Sequence, residues 1–452
     1  MAFNEKGIQE IFKKYDIRGL VPREINSRIA FKLGEAFGIF LGGGKRIVVG
    51  RDNRKSSTSL KNSLVRGLIS SGCDVMDVGF STSDMVAWAV KYLNMDAGVM
   101  VTASHLPAEW NGIKFFNREG RIYGIEELKK ALLPLIDKKC ESGKEGKIER
   151  IEILEEYIKA VISSAKKITR NDSLENMKIV FDGMNGMASL VLPKILKELN
   201  ANLIEINTNF EEGFKKPPEP TEETVKELCQ KVLETKADLG IICDGDADRV
   251  LFVDDRGNFV PGDESLILIA MEYSKPEEPI VFSLDTSQIL IDHLKNQKKC
   301  KVVYSKIGDF FVTEKIIEHK ANFGGQPNGH MKDPSFILYD SGPFFATLFS
   351  SLLAKNGKNL SSTREELPIY HKINISIPHE NPSNLIQNLI KQIEKKECDI
   401  ISDLDGLKFS YKNSVVLVRP SGSEKKLRIN VESNNKTEAL ASLEEVKMWL
   451  KL

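Results

Sequence analysis

Asp244-Gly245-Asp246-Ala247-Asp248-Arg249 sets three carboxylates at alternate positions, directly after the apolar run Leu239–Cys243. The small residues between them let all three turn toward one point, where their mutual repulsion calls for a cation. Hard oxygen donors suit Mg²⁺ or Ca²⁺. An EF-hand is excluded, because its further ligands and closing Glu are missing. A solvated acidic turn would use the same residues, but a position at the end of a buried strand argues against it. Thr102-Ala103-Ser104-His105 follows a second apolar run, Ala97–Val101, and leads to Asn111-Gly112-Ile113-Lys114. A Ser at a strand end can act as nucleophile or phosphate carrier, and Lys114 is a candidate base. The Ser-His pair alone is no triad, since adjacent side chains point differently and no Asp partner is identifiable.

Three further segments have the chemistry of anion sites. Gly50-Arg51-Asp52-Asn53-Arg54, with Ser56 and Ser57 beside it, lies between a strand and a helix pattern. Arg419-Pro420-Ser421-Gly422-Ser423 combines a guanidinium, hydroxyls and flexible backbone N–H groups in one turn. Tyr15-Asp16-Ile17-Arg18-Gly19 puts another Arg near a turn. Each Arg taken singly would serve equally in a surface ion pair. Gly324-Gly325-Gln326-Pro327-Asn328-Gly329-His330 is too polar for a core, and its amides can both donate to and accept from sugar hydroxyls. A solvated hairpin would look similar.

The elements that must carry these residues repeat one pattern. Arg46–Gly79, Lys178–Asn207 and Pro279–Ser305 each read as a β-branched run, a polar or Gly-containing turn, a helix-period stretch and a second apolar run. That is the strand–helix–strand crossover of a parallel sheet, so three similar α/β domains in series are expected, with one large doubly wound sheet as the alternative. Helix N-termini after such strands are natural anion sites. The last stretch differs. Ile373–Ile377 alternates, Asn384–Lys396 is helical, and Ser414–Val418 and Leu427–Val431 read as strands, a small α+β unit. Boundaries are expected at residues 1–148, 149–254, 255–367 and 368–452, in the polar or turn-rich stretches near those positions.

The 452 residues hold 64 Lys+Arg and 64 Asp+Glu, and this balance argues against a chain that coats nucleic acid or an anionic membrane. The six Cys residues are scattered without a CxxC pair, as in a protein with reduced thiols. The N-terminus is charged where a signal peptide is apolar, and no run of 18 or so apolar residues occurs. A cytoplasmic protein is expected, with no nucleic-acid or membrane partner.

Taken in order, Lys14–Gly19 (KYDIRG), Val49–Ser57 (VGRDNRKSS), Thr102–Lys114 (TASHLPAEWNGIK), DGDADR, GGQPNGH and RPSGSE make the chain resemble the α-D-phosphohexomutase superfamily over essentially its whole length. The likeness is closest to the phosphomannomutase/phosphoglucomutase group. It implies three α/β domains with mixed sheets plus a C-terminal α+β phosphate-binding domain around a central cleft. It further implies an enzyme that interconverts hexose 1-phosphate and hexose 6-phosphate of mannose or glucose, through a phosphoserine and a hexose 1,6-bisphosphate. By the same resemblance Ser104 carries the phosphoryl group, and Asp244, Asp246 and Asp248, with Ser104, hold one Mg²⁺. Lys114 and His330 are implied as proton carriers and Arg249 as an active-site cation, and a Lys beside Arg and Mg²⁺ is expected to have a lowered pKa. Tyr15, Arg18, Gln326, Asn328, Arg419, Ser421, Gly422, Ser423 and Arg428 form the implied substrate-binding set. Hexose 1,6-bisphosphate is the implied activator, hexose phosphates are the partners, and the chain is a monomer or homodimer.

Departures from the family pattern bear on the sugar. Leu106 stands where Asn is usual after the Ser-His pair, and Gln326 and Asn328 replace the usual Glu and Ser. Ser423 replaces Thr, and Lys425 replaces Pro. A phosphoglucosamine mutase is the runner-up, followed by a non-catalytic sugar-phosphate binding protein and then by a Mg²⁺-dependent phosphatase.

Overall fold

The β-branched runs that open the three repeats are strands, each leading through a turn into a helix, in a computed structural model that describes residues 5–138, 144–394, 396–421 and 425–452. The chain divides into two units. Met1–Pro261 and Gly329–Ser362 form the first, Gly262–Asn328 and Thr363–Leu452 the second.

The first unit contains two sheets. In one, the strands run in the order Ile17–Leu20, Trp110–Asn117, Ala97–Val101, Arg46–Arg51, Asp74–Phe80, Ile148–Arg150. Arg46–Arg51 is parallel to both Asp74–Phe80 and Ala97–Val101, whereas Trp110–Asn117 returns antiparallel. Ala97–Val101 is buried at every residue, as a central strand covered on both faces must be. Helices Ser27–Phe40 and Ser57–Ser70 pack on this sheet and on each other. Their close approach depends on two glycines: a Cβ on Gly34 would lie 2.2 Å from the Leu64 carbonyl, and one on Gly67 2.1 Å from that of Phe31.

The other sheet has the order Phe259–Val260, Val250–Asp254, Leu239–Cys243, Lys178–Asp182, Asn202–Ile206. Lys178–Asp182 is parallel to its neighbours, and Val250–Asp254 returns antiparallel to the fully buried Leu239–Cys243. The helix Gly342–Asn356 reaches this unit from late in the chain. It is buried from Gly342 through Leu353, packs against helices Leu154–Thr169 and Ala188–Glu198, and brings Phe349 to within 4.6 Å of Phe252, ring to ring.

In the second unit Pro279–Ser283 pairs in parallel with Lys301–Ser305 and with Gly324–Gly325. A five-stranded antiparallel sheet comes next, in the order His371–Pro378, Lys426–Ser433, Ser414–Pro420, Leu407–Tyr411, Cys398–Ser402. Phe409, Val416, Val418, Leu427, Ile429 and Val431 pack beneath helices Pro382–Ile393 and Lys436–Leu450.

All three expected crossovers are present, and four sheets exclude the single doubly wound sheet. The sequence reading missed Cys398–Ser402 and Leu407–Tyr411. The former is an edge strand that leaves Ile400 half exposed, so it carries no alternation to read. Among the described residues, no helix is long and apolar enough to cross a membrane.

Candidate active site

Two loops of the first unit are built alike. Each comes after a fully buried parallel strand, turns once through a left-handed residue, and feeds a strand that returns antiparallel. The left-handed residues are Ser104 (φ 50°) in one and Ala247 (φ 64°) in the other. Positions beyond the carboxyl ends of parallel strands are where open α/β sheets bind ligands. A non-glycine residue held there at positive φ is strained, and the surrounding contacts must hold it.

The two loops meet. The Ser104 hydroxyl donates to Asp244 Oδ2 at 2.6 Å, and the Ser104 N–H donates to Thr102 Oγ1 at 2.9 Å. A Cβ on Gly245 would stand 2.5 Å from the Ser104 carbonyl, so only glycine admits this approach. Asp244, Asp246 and Asp248 are all buried, and one carboxylate oxygen from each lies within 4.8 Å of the others. Lys114 Nζ donates to Asp246 Oδ2 at 2.7 Å, to Asp248 Oδ2 at 2.6 Å and to the Tyr339 hydroxyl at 2.9 Å. Tyr339 donates in turn to Asp248 Oδ2 at 3.1 Å, and Ser83 donates its hydroxyl to Asp246 Oδ2.

These contacts occupy the Oδ2 atoms and leave Asp246 Oδ1 and Asp248 Oδ1 buried without a hydrogen bond among the described residues. Orphaned carboxylate oxygens this deep need a cation. Burial, together with Asp248 and Asp246, pushes Asp244 well above the usual carboxylate range. For Asp248 burial acts the same way, but Lys114, His330 and Arg249 outweigh it and hold its pKa well below that range. Three all-oxygen donors beside the Ser104 hydroxyl fit a hard divalent ion.

Lys114 is held by two of these carboxylates. Burial would push its ammonium down, yet Asp246 and Asp248 outweigh burial and raise its pKa above the usual lysine value.

Around this centre run three cations and two imidazoles. Arg249 Nε donates to His330 Nε2 at 2.9 Å, and its Nη2 lies 3.0 Å from His105 Nδ1. His330 Nδ1 faces Asp340 Oδ2 at 3.1 Å, and Lys332 pairs with the same carboxylate. Accepting from Arg249 makes Nε2 the acceptor nitrogen of His330, with Nδ1 turned toward Asp340. Burial, reinforced by Arg249 and Arg18, lowers His105 and keeps it neutral. Arg18 Nε donates to Asp16 Oδ2 at 2.6 Å. Burial lowers its pKa, but Asp16, Asp246 and Asp248 outweigh burial and raise it. Tyr15 is half-buried.

In the Gly50–Arg54 loop, Arg54 has no donor left for an anion. All five N–H donors of Arg54 are spent inside the protein, on Asp52 and on carbonyls of Ser104, Leu106, Pro107 and Trp110. Ser83, Tyr339, Lys332 and Asp340 escaped the sequence reading. No local motif marks them, and they reach the site only through the fold.

In the second unit Arg419 and Arg428 face each other across neighbouring antiparallel strands. Like charges directly opposite repel unless an anion lies between them. Arg419 Nη1, Ser421 Oγ and Arg428 Nε are buried and without hydrogen-bond partners among the described residues, and Asp405 stands 3.6 Å from Arg419 Nη1. Gly422 and Ser423 lie outside the described residues. Gln326 is buried, its Oε1 accepts from the Gly308 N–H at 3.0 Å, and Asn328 is exposed.

The comparisons with known proteins agree over the full chain. Profiles of phosphoglucomutase/phosphomannomutase α/β/α domains I, II and III match residues 9–142, 155–257 and 261–370, and that of the C-terminal domain matches 380–446. A phosphoglucomutase/phosphomannomutase of Thermococcus kodakarensis is 32% identical, covering 96% of this chain and 97% of its own. A protein of Methanopyrus kandleri named probable phosphoglucosamine mutase is 33% identical, covering 94% of each. The crystal structure of a phosphoglucomutase/phosphomannomutase family protein from Burkholderia thailandensis superimposes with a TM-score of 0.88 at 26% identity, covering 98% of this chain and 97% of that one. The chain belongs to the phosphoglucomutase/phosphomannomutase family and is a phosphotransferring mutase of the phosphohexomutase superfamily.

Proposed function

We propose that this enzyme interconverts hexose 1-phosphate and hexose 6-phosphate, with mannose or glucose as the sugar, using Ser104 as the phosphate carrier. The observation that carries the reading is the Ser104 hydroxyl, which donates to Asp244 inside a buried triad of carboxylates that have unpaired oxygens. Asp244, Asp246, Asp248 and Ser104 would hold Mg²⁺, which when bound neutralises charge on the transferring phosphoryl group.

In the forward cycle the bond from phosphorus to Ser104 Oγ breaks as a bond to the sugar's free hydroxyl oxygen forms. The resulting hexose 1,6-bisphosphate turns over, and its other phosphate returns to Ser104. Such transfers pass through a loose transition state, so positioning and positive charge matter most. Lys114, Arg18 and Arg249 supply that charge. The proton of the attacking hydroxyl goes to His330 Nε2, the acceptor nitrogen, once Arg249 turns from it to the phosphoryl group. The buried, unpartnered donors of Arg419, Ser421 and Arg428 support a phosphate-binding role for these residues, and the sequence motif adds Gly422 and Ser423. Added hexose 1,6-bisphosphate would recharge any enzyme that lost its phosphate.

The relatives also support glucosamine as the sugar, since several at 32–34% identity are named probable phosphoglucosamine mutases. Gln326 favours the neutral sugars. Its amide carries no charge to pair with an ammonium, and its Oε1 is already tied to Gly308.

Coupled assays with mannose, glucose and glucosamine 1-phosphates, Mg²⁺ and catalytic glucose 1,6-bisphosphate test the assignment. Turnover of the neutral sugars, lost in Ser104→Ala, is expected. Turnover of glucosamine 1-phosphate alone would transfer the assignment to that sugar. Near wild-type rates in Ser104→Ala would remove Ser104 as the carrier.

A further inference from the structure

The structure assigns to Arg54 the positioning of the nucleophile loop, so that this arginine sets the rate of phosphoryl transfer without touching substrate. The inference rests on Ser104 being the phosphate carrier. Arg54 is 2% exposed, and each of its N–H groups has a partner. Nη2 donates to the carbonyls of Ser104 and Leu106, both at 2.7 Å. Nη1 donates to those of Pro107 at 2.5 Å and Trp110 at 3.0 Å. Nε donates to Asp52 Oδ2 at 3.0 Å.

Four carbonyls of one seven-residue stretch thus converge on a single guanidinium, and that stretch begins at the nucleophile itself. The Ser104 carbonyl it grips is also the one that leaves no room for a Cβ at Gly245. The clamp is itself held. Asp52 Oδ1 accepts from the Arg54 N–H at 3.1 Å and from the Ser57 hydroxyl, while Phe214 lies 4.9 Å from the guanidinium carbon. A second tie joins the same two segments: Asn111 Nδ2 donates to Ser56 Oγ at 2.8 Å and to Ser57 Oγ at 2.9 Å.

This grip has two physical consequences. The loop must keep Ser104 at φ 50°, a conformation the chain does not adopt unaided, and the guanidinium opposes its relaxation. A planar fork with five fixed donors does this, whereas a lysine offers three donors from one point and cannot span four carbonyls. Burial lowers the Arg54 pKa, with Asp52 and Asp246 acting against it, and a guanidinium stays charged in a protein.

The test uses Arg54→Lys, Arg54→Ala and Asp52→Asn in the full chain. It measures melting temperature, kcat and KM, and the rate at which glucose 1,6-bisphosphate phosphorylates Ser104, read by peptide mass. Displacement of a reacting group by about an ångström costs on the order of 100-fold. Arg54→Lys is therefore expected to lose kcat by about 100-fold with KM changed by less than about threefold. Ser104 phosphorylation should slow in parallel. Millimolar guanidinium should restore part of the activity of Arg54→Ala, and sodium chloride at equal ionic strength should not.

If Arg54→Ala does not fold, Asp52→Asn keeps the guanidinium but weakens its anchor, and a loss of about tenfold in kcat is expected there. Arg54→Lys and Asp52→Asn with wild-type kcat would overturn the assignment. A kcat loss with unchanged Ser104 phosphorylation would overturn it too. Wild-type phosphate found on a residue other than Ser104 would remove the carrier and this inference together, whereas phospho-Ser104 with unaffected variants removes only the inference.

Discussion

Asp84 is a fully buried carboxylate outside the proposed chemistry, and it accepts from the hydroxyls of Tyr157 and Ser341. Burial raises its pKa from 3.8 to about 6, against the pull of these donors. A carboxyl raised on folding favours its protonated form there. Its contribution is complete below about pH 4 and is lost as the pH rises through about 6. The shift of roughly two units corresponds to about 3 kcal/mol. Asp84→Asn keeps an acceptor for both hydroxyls without a charge. Urea titrations should show it more stable than wild type at pH 7, by up to about 3 kcal/mol, with a flatter stability profile between pH 4 and 6. At this scale the contiguous chemistry was legible, because Asp244, Asp246 and Asp248 advertise a shared point by their spacing alone. The carboxylate partners of Lys114 were not. The two carboxylates that hold its proton lie 132 and 134 residues further along the chain. Arg54 misled for a related reason: a buried clamp and a phosphate cradle present the same residues in sequence.

The elements were read from period, and period served where one face meets solvent. The three crossovers were legible through their β-branched runs and amphipathic helices. Gly342–Asn356 was not, being buried almost all round and so without a polar face to mark it. Nor could sequence say that Gly34 and Gly67 set the spacing of two helices, since an isolated glycine in a helical pattern ordinarily only weakens it. Gly67→Ala should cost about 1–3 kcal/mol in chemical denaturation, because a methyl there meets backbone, the Phe31 carbonyl, rather than a yielding side chain. At an exposed helical site the same change would stabilise. A gain in stability would show that the two helices part at no cost.

The balance of 64 basic and 64 acidic residues conceals local separation. Acidic residues gather at Asp244–Asp248, and basic ones at Arg419 and Arg428. The division into units is the feature least legible in sequence. Composition marks turns, but it does not say that residues after Asn328 rejoin what precedes Gly262. A fragment ending at Pro261 would lack Gly329–Ser362, and with it His330, Tyr339, Asp340 and the helix that covers Phe252. It should expose that apolar face, bind a hydrophobic dye and melt without cooperativity, whereas a compact fragment with a sharp transition would contradict the division. The same connectivity sets a schedule during synthesis. Domains tend to fold as they emerge, N-terminal first. Here the carboxylate triad can leave the ribosome long before the partners that complete it, and the first unit stays unfinished until residue 362 of 452 has been made.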